Sequence, residues 1–491
     1  MKTFRLPASG IIAAIILFTT LSCSDDHHDP LQVPEVRTAT FLAVNDLHAN
    51  LENFPRLAYI ADSLREIYPE LIVVSAGDNQ TGHPANDQYI PRGLPVIELM
   101  NAVGFNLSAV GNHEFDTGQE GFSLLTRKAD FDFLCSNIDV PSEFPFNIKP
   151  YKVISTKEGL KIGVASLLQL GQNGLPDCYP EYTRGFTFYN PFQSARKYTG
   201  MKDSCDLLVF VNHLGYTDDI ALAEQFPAGT IDVILGGHSH TMLEQKEMHN
   251  GTLITQAGDK LEHAVLVEIS VKSGGGTDSR MEVITIDKKG KKDAETENMV
   301  RKYLDNPAMQ EPIATLQTPI TSKEQLGYLM ADAMHDAIET DFSLVNAGGV
   351  RSSSWNSDVV TPYDVYKLDP FGNTIITVNF SGAELHDFFI KGYYESKYHW
   401  IYTSGLKAEY TVKDDELLDI RLFTPDGKAL EKDRTYKVSM NNYMISAMII
   451  PHQDKEVNSY IPTAENMISY LKKIKTVQNY SNGERLTILR K

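Results

Sequence analysis

Thr40-Phe41-Leu42-Ala43-Val44-Asn45-Asp46-Leu47-His48 is the stretch from which the fold can be read. A short apolar, β-branched run stops at Asn45, and a carboxylate and an imidazole follow at once. Such a run, bounded by turn-forming residues, reads as a strand covered on both faces. The pattern recurs four times. Leu71-Ile72-Val73-Val74 runs into Gly77-Asp78-Asn79, and Leu107-Ser108-Ala109-Val110 into Gly111-Asn112-His113-Glu114-Phe115-Asp116. Leu207-Leu208-Val209-Phe210-Val211 runs into Asn212-His213, and Ile231-Asp232-Val233-Ile234-Leu235 into Gly236-Gly237-His238-Ser239-His240. Chemistry in layered α/β folds collects beyond the carboxyl ends of strands. One edge of one sheet, or of two packed sheets, therefore gathers two Asp, an Asn and several His, which is the inventory of a metal site.

Outward from these runs, helical periodicity falls between the strands, at residues 54–68 (Leu57, Ile60, Ala61, Leu64, Ile67) and 95–103. Further strands are expected at 161–168, 251–258 and 264–269. This alternation predicts a layered α/β sandwich over residues 37–290. A polar stretch rich in Gly, Lys and Asp (272–295) marks the neighbourhood of a boundary, and residues 291–318 read as a linker with a bridging helix near 294–305. A mixed α+β unit is expected over 319–491. It has helices at 325–338 and 463–474 and strands near 342–345, 375–378, 406–412 and 435–440.

The chain has 491 residues, too many for one compact core. Its formal net charge of −19 leaves no basic excess to neutralise phosphates, which argues against a nucleic-acid polymer as partner. A small phosphorylated substrate held at a local metal site stays open. At the N-terminus, Lys2 and Arg5 precede an apolar stretch, Ile11 to Leu21, too short to span a bilayer, so residues 1–22 read as a signal peptide. Leu21-Ser22-Cys23 resembles a bacterial lipobox, with Cys23 as the lipidated residue and 23–36 as a polar tether. The protein is thus expected to be exported to the periplasm or the outer membrane and cell surface, held to a membrane only through Cys23. Cys135, Cys178 and Cys205 form neither a disulfide framework nor a zinc-ribbon spacing.

Asp46 and His48 are two apart, and on an extended strand end such residues point the same way. Asp78 can bridge two ions through its two oxygens. Asn112 offers a carbonyl oxygen, and His213, His238 and His240 offer ring nitrogens. Mixed carboxylate, amide and imidazole donors suit Mn, Zn, Co or Fe better than Mg or Ca. Two divalent ions about 3.5–4 Å apart can clamp a phosphate and activate a bridging water as hydroxide. Asp116 is placed to orient His113, which would stabilise charge on phosphoryl oxygens and protonate a leaving group. Any one of these residues alone is an ordinary polar strand-end residue. The set, in this order, is specific.

The motifs Asp46-x-His48, Gly77-Asp78, Gly111-Asn112-His113-Glu114, His213 and Gly237-His238-x-His240 resemble the calcineurin-like metallophosphoesterase pattern. With Asn346-Ala347-Gly348-Gly349-Val350-Arg351 and Pro370-Phe371-Gly372-Asn373 downstream, the chain resembles the 5'-nucleotidase / UDP-sugar hydrolase / 2',3'-cyclic-nucleotide phosphodiesterase family over nearly its whole mature length. The resemblance implies a four-layer αββα sandwich with a C-terminal α+β substrate domain. It implies one metal on Asp46, His48, Asp78 and His240 and another on Asp78, Asn112, His213 and His238, with His113 and Asp116 as the catalytic dyad. It also implies substrate contacts from Asn346, Gly348, Gly349, Arg351, Phe371 and Asn373. Two departures concern the nucleobase. The family's late Gly-Gly-Asp-Gly-aromatic loop is replaced by Asn441-Asn442-Tyr443 and the apolar residues 444–451, and Ile375 stands where some nucleotidases place a second stacking aromatic. Tyr443 and Tyr460 are the possible substitutes. The expected activity is hydrolysis of nucleoside 5'-monophosphates or related phosphoesters. The alternatives are 2',3'-cyclic nucleotides, nucleotide sugars, a non-nucleotide phosphoester, or a nucleotide-binding receptor.

Overall fold

A computed structural model describes residues 36–286, 288–395, 400–414, 416–447, 452, 454–480 and 485–491. The leader, Cys23 and the tether lie outside the described residues.

The strand Val36–Val44 is buried on both faces from Ala39 onward, and the two faces meet different partners. Leu42 and Val44 lie in a core with Leu57, Ala61, Val96 and Met100, which come from the helices Phe54–Ile67 and Leu94–Val103. Phe41 and Ala43 point the other way, into a core shared with Val164, Val209 and Val233 of a second sheet. Alternation along one strand thus builds two layers at once. The first sheet runs Thr277–Thr285, His263–Lys272, Val36–Val44, Ile72–Ser75, Leu107–Ala109, Asp132–Leu134, Ile148–Lys149. The second runs Glu247–His249, Thr252–Thr255, Val233–Leu235, Leu207–Val211, Lys161–Ala165, Tyr151–Ser155. Ala195, Leu222 and Ala223, from the helices Pro191–Thr199 and Tyr216–Gln225, cover its outer face against Leu208, Phe210 and Ile234. The result is a four-layer αββα sandwich with two parallel-strand centres whose carboxyl ends open on the same side.

The polar stretch at 272–295 holds more structure than its composition announces. Residues 272–276 turn a hairpin between His263–Lys272 and Thr277–Thr285. Only Met281 and Val283 of the outer strand pack on the inter-sheet core, so its alternation is masked by Asp278, Arg280 and Glu282. The helix Ala294–Leu304 is capped by the Asp293 side chain and buries Val300 and Tyr303 against the first domain.

The strand Ala314–Leu316 pairs with Val359–Val360 and Thr476–Val477. The central C-terminal sheet runs Ile401–Ser404, Phe342–Asn346, Thr435–Asn441, Thr374–Ser381, Val457–Pro462. Helices Lys323–Ala337 and Thr463–Ile474 contribute to one of its cores, and helix Gly382–Glu395 to another. Gly327 sits where helix Lys323–Ala337 crosses Tyr402, and a Cβ there would lie 1.9 Å from the tyrosine ring. Gly327→Ala is expected to destabilise this domain by about 1–3 kcal/mol through overpacking. The chain's two tryptophans, Trp355 and Trp400, both lie in this domain, so urea unfolding followed by tryptophan fluorescence checks the effect there.

Candidate metal centre and substrate cavity

The loops that follow the strands of both sheets are short and tightly wound. Asp46, His48, Asp78, His238 and His240 all have positive φ, between 43° and 78°. For residues with a Cβ this conformation costs roughly 1–2 kcal/mol each, and neighbouring loops stabilise it. The Asp46 N–H donates to the Gly77 carbonyl (3.0 Å), His48 N–H to the Asp78 carbonyl (3.1 Å) and Ala49 N–H to the Asn79 carbonyl (3.0 Å). Asp46 and His48 do converge, but through left-handed turns and not through the pleat of an extended strand as expected. The strand ends at Val44, and the turn re-aims both side chains. Gly111 allows the next loop in: a Cβ there would lie 2.3 Å from Asp78 Oδ1.

Three overlapping groups of donors result: Asp46, His48 and His240; Asp78, His213 and His238; and His48, Asp78 and His113, which joins the first two. His48 Nε2 is 3.0 Å from His240 Nε2, which is 3.5 Å from Asp46 Oδ1. His213 Nε2 is 3.1 Å from Asp78 Oδ2 and 3.2 Å from Asn112 Oδ1, and His238 Nδ1 is 3.1 Å from the same Asn112 oxygen. Ring orientation follows from the other nitrogen. His48 Nδ1 faces the Thr81 carbonyl at 3.1 Å, and His213 Nδ1 faces the Ala76 carbonyl at 2.7 Å. Each carbonyl takes an N–H, so Nε2 is the atom left to carry a proton or an ion. Lone-pair nitrogens and carboxylate oxygens packed this closely call for a cation, so the donor chemistry fits divalent metals.

The charge balance points the same way. Burial would raise the Asp78 carboxyl, but His213, His113 and His48 hold it well below the usual carboxylate range. Burial disfavours charge on His213, yet Asp78 raises it to about 10. Burial and then the Arg351 guanidinium hold His48 well below the imidazole range, and burial with His213 pushes His238 down to about 3. Burial lifts Asp46 to about 7 against the pull of His213. His213 and His113 thus hold Asp78 ionised, and His48 and His238 are left as neutral nitrogen donors.

Glu114 does more than its place in the motif suggested. Its carboxylate accepts the backbone N–H groups of Asp78 (3.0 Å), Asn79 (2.8 Å) and Gly111 (2.6 Å) and the Asn79 side-chain amide (3.0 Å). It therefore ties together the loops that present Asp78 and Asn112. The spacing Asn112-x-Glu114 was the available signal, but its backbone partners were not legible.

His113 Nδ1 lies 2.7 Å from Asp116 Oδ2, which also accepts the Thr81 hydroxyl at 2.8 Å. Burial opposes a proton on His113, but Asp78 and Asp116 raise it to about 9. Its ring stacks on Phe371 of the C-terminal domain at 5.9 Å and 26°, and the Arg351 guanidinium lies 5.6 Å from the centre of the Phe371 ring. A cavity of about 720 Å³ opens here between the domains. Asp78, Asn112, His113, Asp116, His238 and His240 line one side, and Asn346, Gly348, Gly349, Arg351, Phe371 and Asn373 the other. Asp46, His48 and His213 are buried at the base of the same cluster. Tyr443 reaches the cavity wall, whereas Tyr460 is 81% exposed, and Ile375 is buried in the C-terminal core. Asp177, Tyr179, Tyr182 and Trp400 also line the cavity and carried no motif signal.

The family model for calcineurin-like phosphoesterase matches residues 39–242, and that for the 5'-nucleotidase C-terminal domain matches residues 307–448. The chain is similar to a 5'-nucleotidase of Vibrio cholerae, 24% identical over 504 residues, with 88% of this chain and 89% of that one covered. It is likewise similar to protein UshA of Escherichia coli, 23% identical over 501 residues with the same shares covered. Among solved structures, a 5'-nucleotidase precursor from Thermus thermophilus superposes with a TM-score of 0.81 at 23% identity, over 92% of this chain and 99% of that one, a likeness of fold. With both domain types matched in order and the donor cluster at their junction, the chain belongs to the calcineurin-like phosphoesterases that carry a 5'-nucleotidase C-terminal domain, a family of metal-dependent phosphoric ester hydrolases.

Proposed function

We propose that the protein is an exported phosphoesterase with a dinuclear metal centre that hydrolyses nucleoside 5'-monophosphates or closely related phosphoesters. One observation carries this reading. The donor groups Asp46, His48, His240 and Asp78, His213, His238 are joined by a third, His48, Asp78 and His113, beside a cavity whose other wall belongs to the C-terminal domain. Asp46, His48, Asp78 and His240 would hold one ion, and Asp78, Asn112, His213 and His238 the other. When bound, two divalent ions neutralise phosphoryl oxygens and make a water nucleophilic at neutral pH.

The chain's own groups do the rest. Asp116 fixes the His113 ring through Nδ1, which leaves Nε2 to donate to a phosphoryl or leaving-group oxygen. Arg351 supplies a fixed cation for anionic oxygens, in a planar form suited to phosphate. The Gly348-Gly349 turn and the Phe371 ring close the wall around the remainder of the substrate. The relatives named 5'-nucleotidase support a nucleotide as that substrate. A nucleotide sugar, a 2',3'-cyclic nucleotide or a non-nucleotide phosphoester is the second reading, favoured by Ile375 being core and by the missing Gly-Gly-Asp-Gly-aromatic loop. Every expected ligand is present, which speaks against a receptor that has lost its chemistry. The sandwich over 37–290 and the substrate unit over 319–491, joined by the linker 291–318, would turn about a hinge near residues 295–320. Export and anchoring through Cys23 rest on the N-terminal sequence, and among the described residues no helix is long and apolar enough to cross a membrane.

Phosphate release from AMP, UMP, UDP-glucose, 2',3'-cyclic AMP and sugar phosphates, using metal-replete protein lacking residues 1–23, tests the reading. A nucleoside monophosphate should be preferred, and equal rates on sugar phosphates would discard nucleotide recognition. Chelation should abolish turnover and Mn²⁺ should restore it. His113→Ala should lower kcat by roughly 10²–10⁴-fold with metal content retained by elemental analysis. Glu114→Ala should act on the metals instead, weakening their binding by about 10–100-fold in titration calorimetry.

A further inference from the structure

We infer that Asp177 and Tyr443 form a latch between the domains, seated on the first-domain loop whose Asp177 carbonyl also holds the amide of the candidate metal ligand Asn112. The inference rests on the phosphoesterase reading above. Asn112 presents its oxygen to His213 and His238 only if its amide nitrogen is held elsewhere. That nitrogen donates to the Asp177 backbone carbonyl at 3.0 Å. The carbonyl is fixed from the first domain. The preceding loop closes on itself through Gly171 N–H to Leu175 O (2.8 Å) and Leu175 N–H to Asn173 Oδ1 (3.0 Å), and the buried Pro176 and Cys178 flank Asp177.

The side chain of the same residue faces the other domain. At the cavity rim the Tyr443 hydroxyl donates to Asp177 Oδ1. Tyr443 is itself firmly carried. The Thr374 N–H donates to Asn442 Oδ1 (2.9 Å), the Met444 N–H to Asn441 Oδ1 (2.9 Å), and Asn441 Nδ2 to Asn346 Oδ1 (3.1 Å). Tyr443 is therefore tied to the segment that bears Arg351, and it meets Asp177 when Phe371 lies against His113. Other contacts belong to the same docked arrangement, among them Arg92 donating to the Pro370 carbonyl (2.9 Å) and the Tyr363 hydroxyl 3.0 Å from His83 Nε2. A substrate long enough to touch both walls binds only the docked form, so its apparent affinity scales with the docked population. A small aryl phosphate needs only the metal face.

The test uses metal-loaded two-domain protein lacking residues 1–23 and the variants Tyr443→Phe, Asp177→Ala and the pair combined. AMP and 4-nitrophenyl phosphate are the substrates, and small-angle scattering of the free proteins is recorded alongside. Each single variant should lower the ratio of kcat/KM for AMP over that for 4-nitrophenyl phosphate by about tenfold, mainly through the KM for AMP. The double variant should do no worse than either single, because one bond is lost in all three. The radius of gyration should rise in every variant. A ratio and a scattering curve equal to wild type would overturn the latch, and so would losses that multiply to about a hundredfold in the double variant. If the wild type hydrolyses neither substrate, the phosphoesterase reading fails by itself, and the scattering still decides whether the two residues hold the domains together.

Discussion

Asp78 is the point on which the candidate site turns. It is buried, it takes a left-handed backbone, and its oxygens face His213 and His113 while its amide hydrogen goes to Glu114. A carboxylate in such a place is costly to ionise unless compensated. The compensation comes from the loops of two sheets at once, so the sheets must hold their register for the charge to be tolerated. The dense core between them, with Phe41, Val74, Val164 and Val209 fully buried, is what makes a precise but unfavourable charge arrangement possible. Stability from apolar packing is spent on electrostatic order at the rim.

Much of this was legible along the chain. Five apolar runs that end in Asp, Asn or His read directly as strands with ligands at their carboxyl ends, because the strand-ending residues and the chemical residues are the same ones. Other features are written in polar residues that composition disguises. The hairpin strand Thr277–Thr285 shows only Met281 and Val283 to the inter-sheet core and Ile284 to the other face, and so reads as linker. Helix Gly382–Glu395 follows directly on the strand Thr374–Ser381, and its one signal is the capping box Ser381-x-x-Glu384, in which each side chain accepts the other residue's backbone N–H. What sequence could not supply at all was convergence through space. The i, i+2 argument brought Asp46 and His48 together for the wrong reason, since positive φ is set by bonds to Gly77 and Asp78 from another strand. Asp177 and Tyr443 are 266 residues apart, and neither stands in a recognisable motif.

The division of labour between the domains follows from the same geometry. The candidate metal donors sit on loops of the sandwich, while the C-terminal domain contributes the Arg351 guanidinium to the same cavity. The wall that faces the rest of the substrate is drawn from turns of the C-terminal domain and from aromatic side chains on both sides. That wall includes Asn346, Arg351, Phe371 and Tyr443, whereas Ile375 lies behind it in the C-terminal core. The candidate metal donors and this wall thus meet at a physical seam between the domains.

The hairpin strand at the border of the seven-stranded sheet has a further consequence. An open sheet edge is a template on which another chain can add a strand. Here the outer strand Thr277–Thr285 is short of apolar surface and carries Asp278, Arg280 and Glu282 exposed, and the Lys246 ammonium donates to the Ser279 carbonyl. Neighbouring copies meeting edge to edge would bury like charges and displace that lysine. The sheet that carries three of the five donor loops thus presents at this border a charged strand that disfavours strand addition.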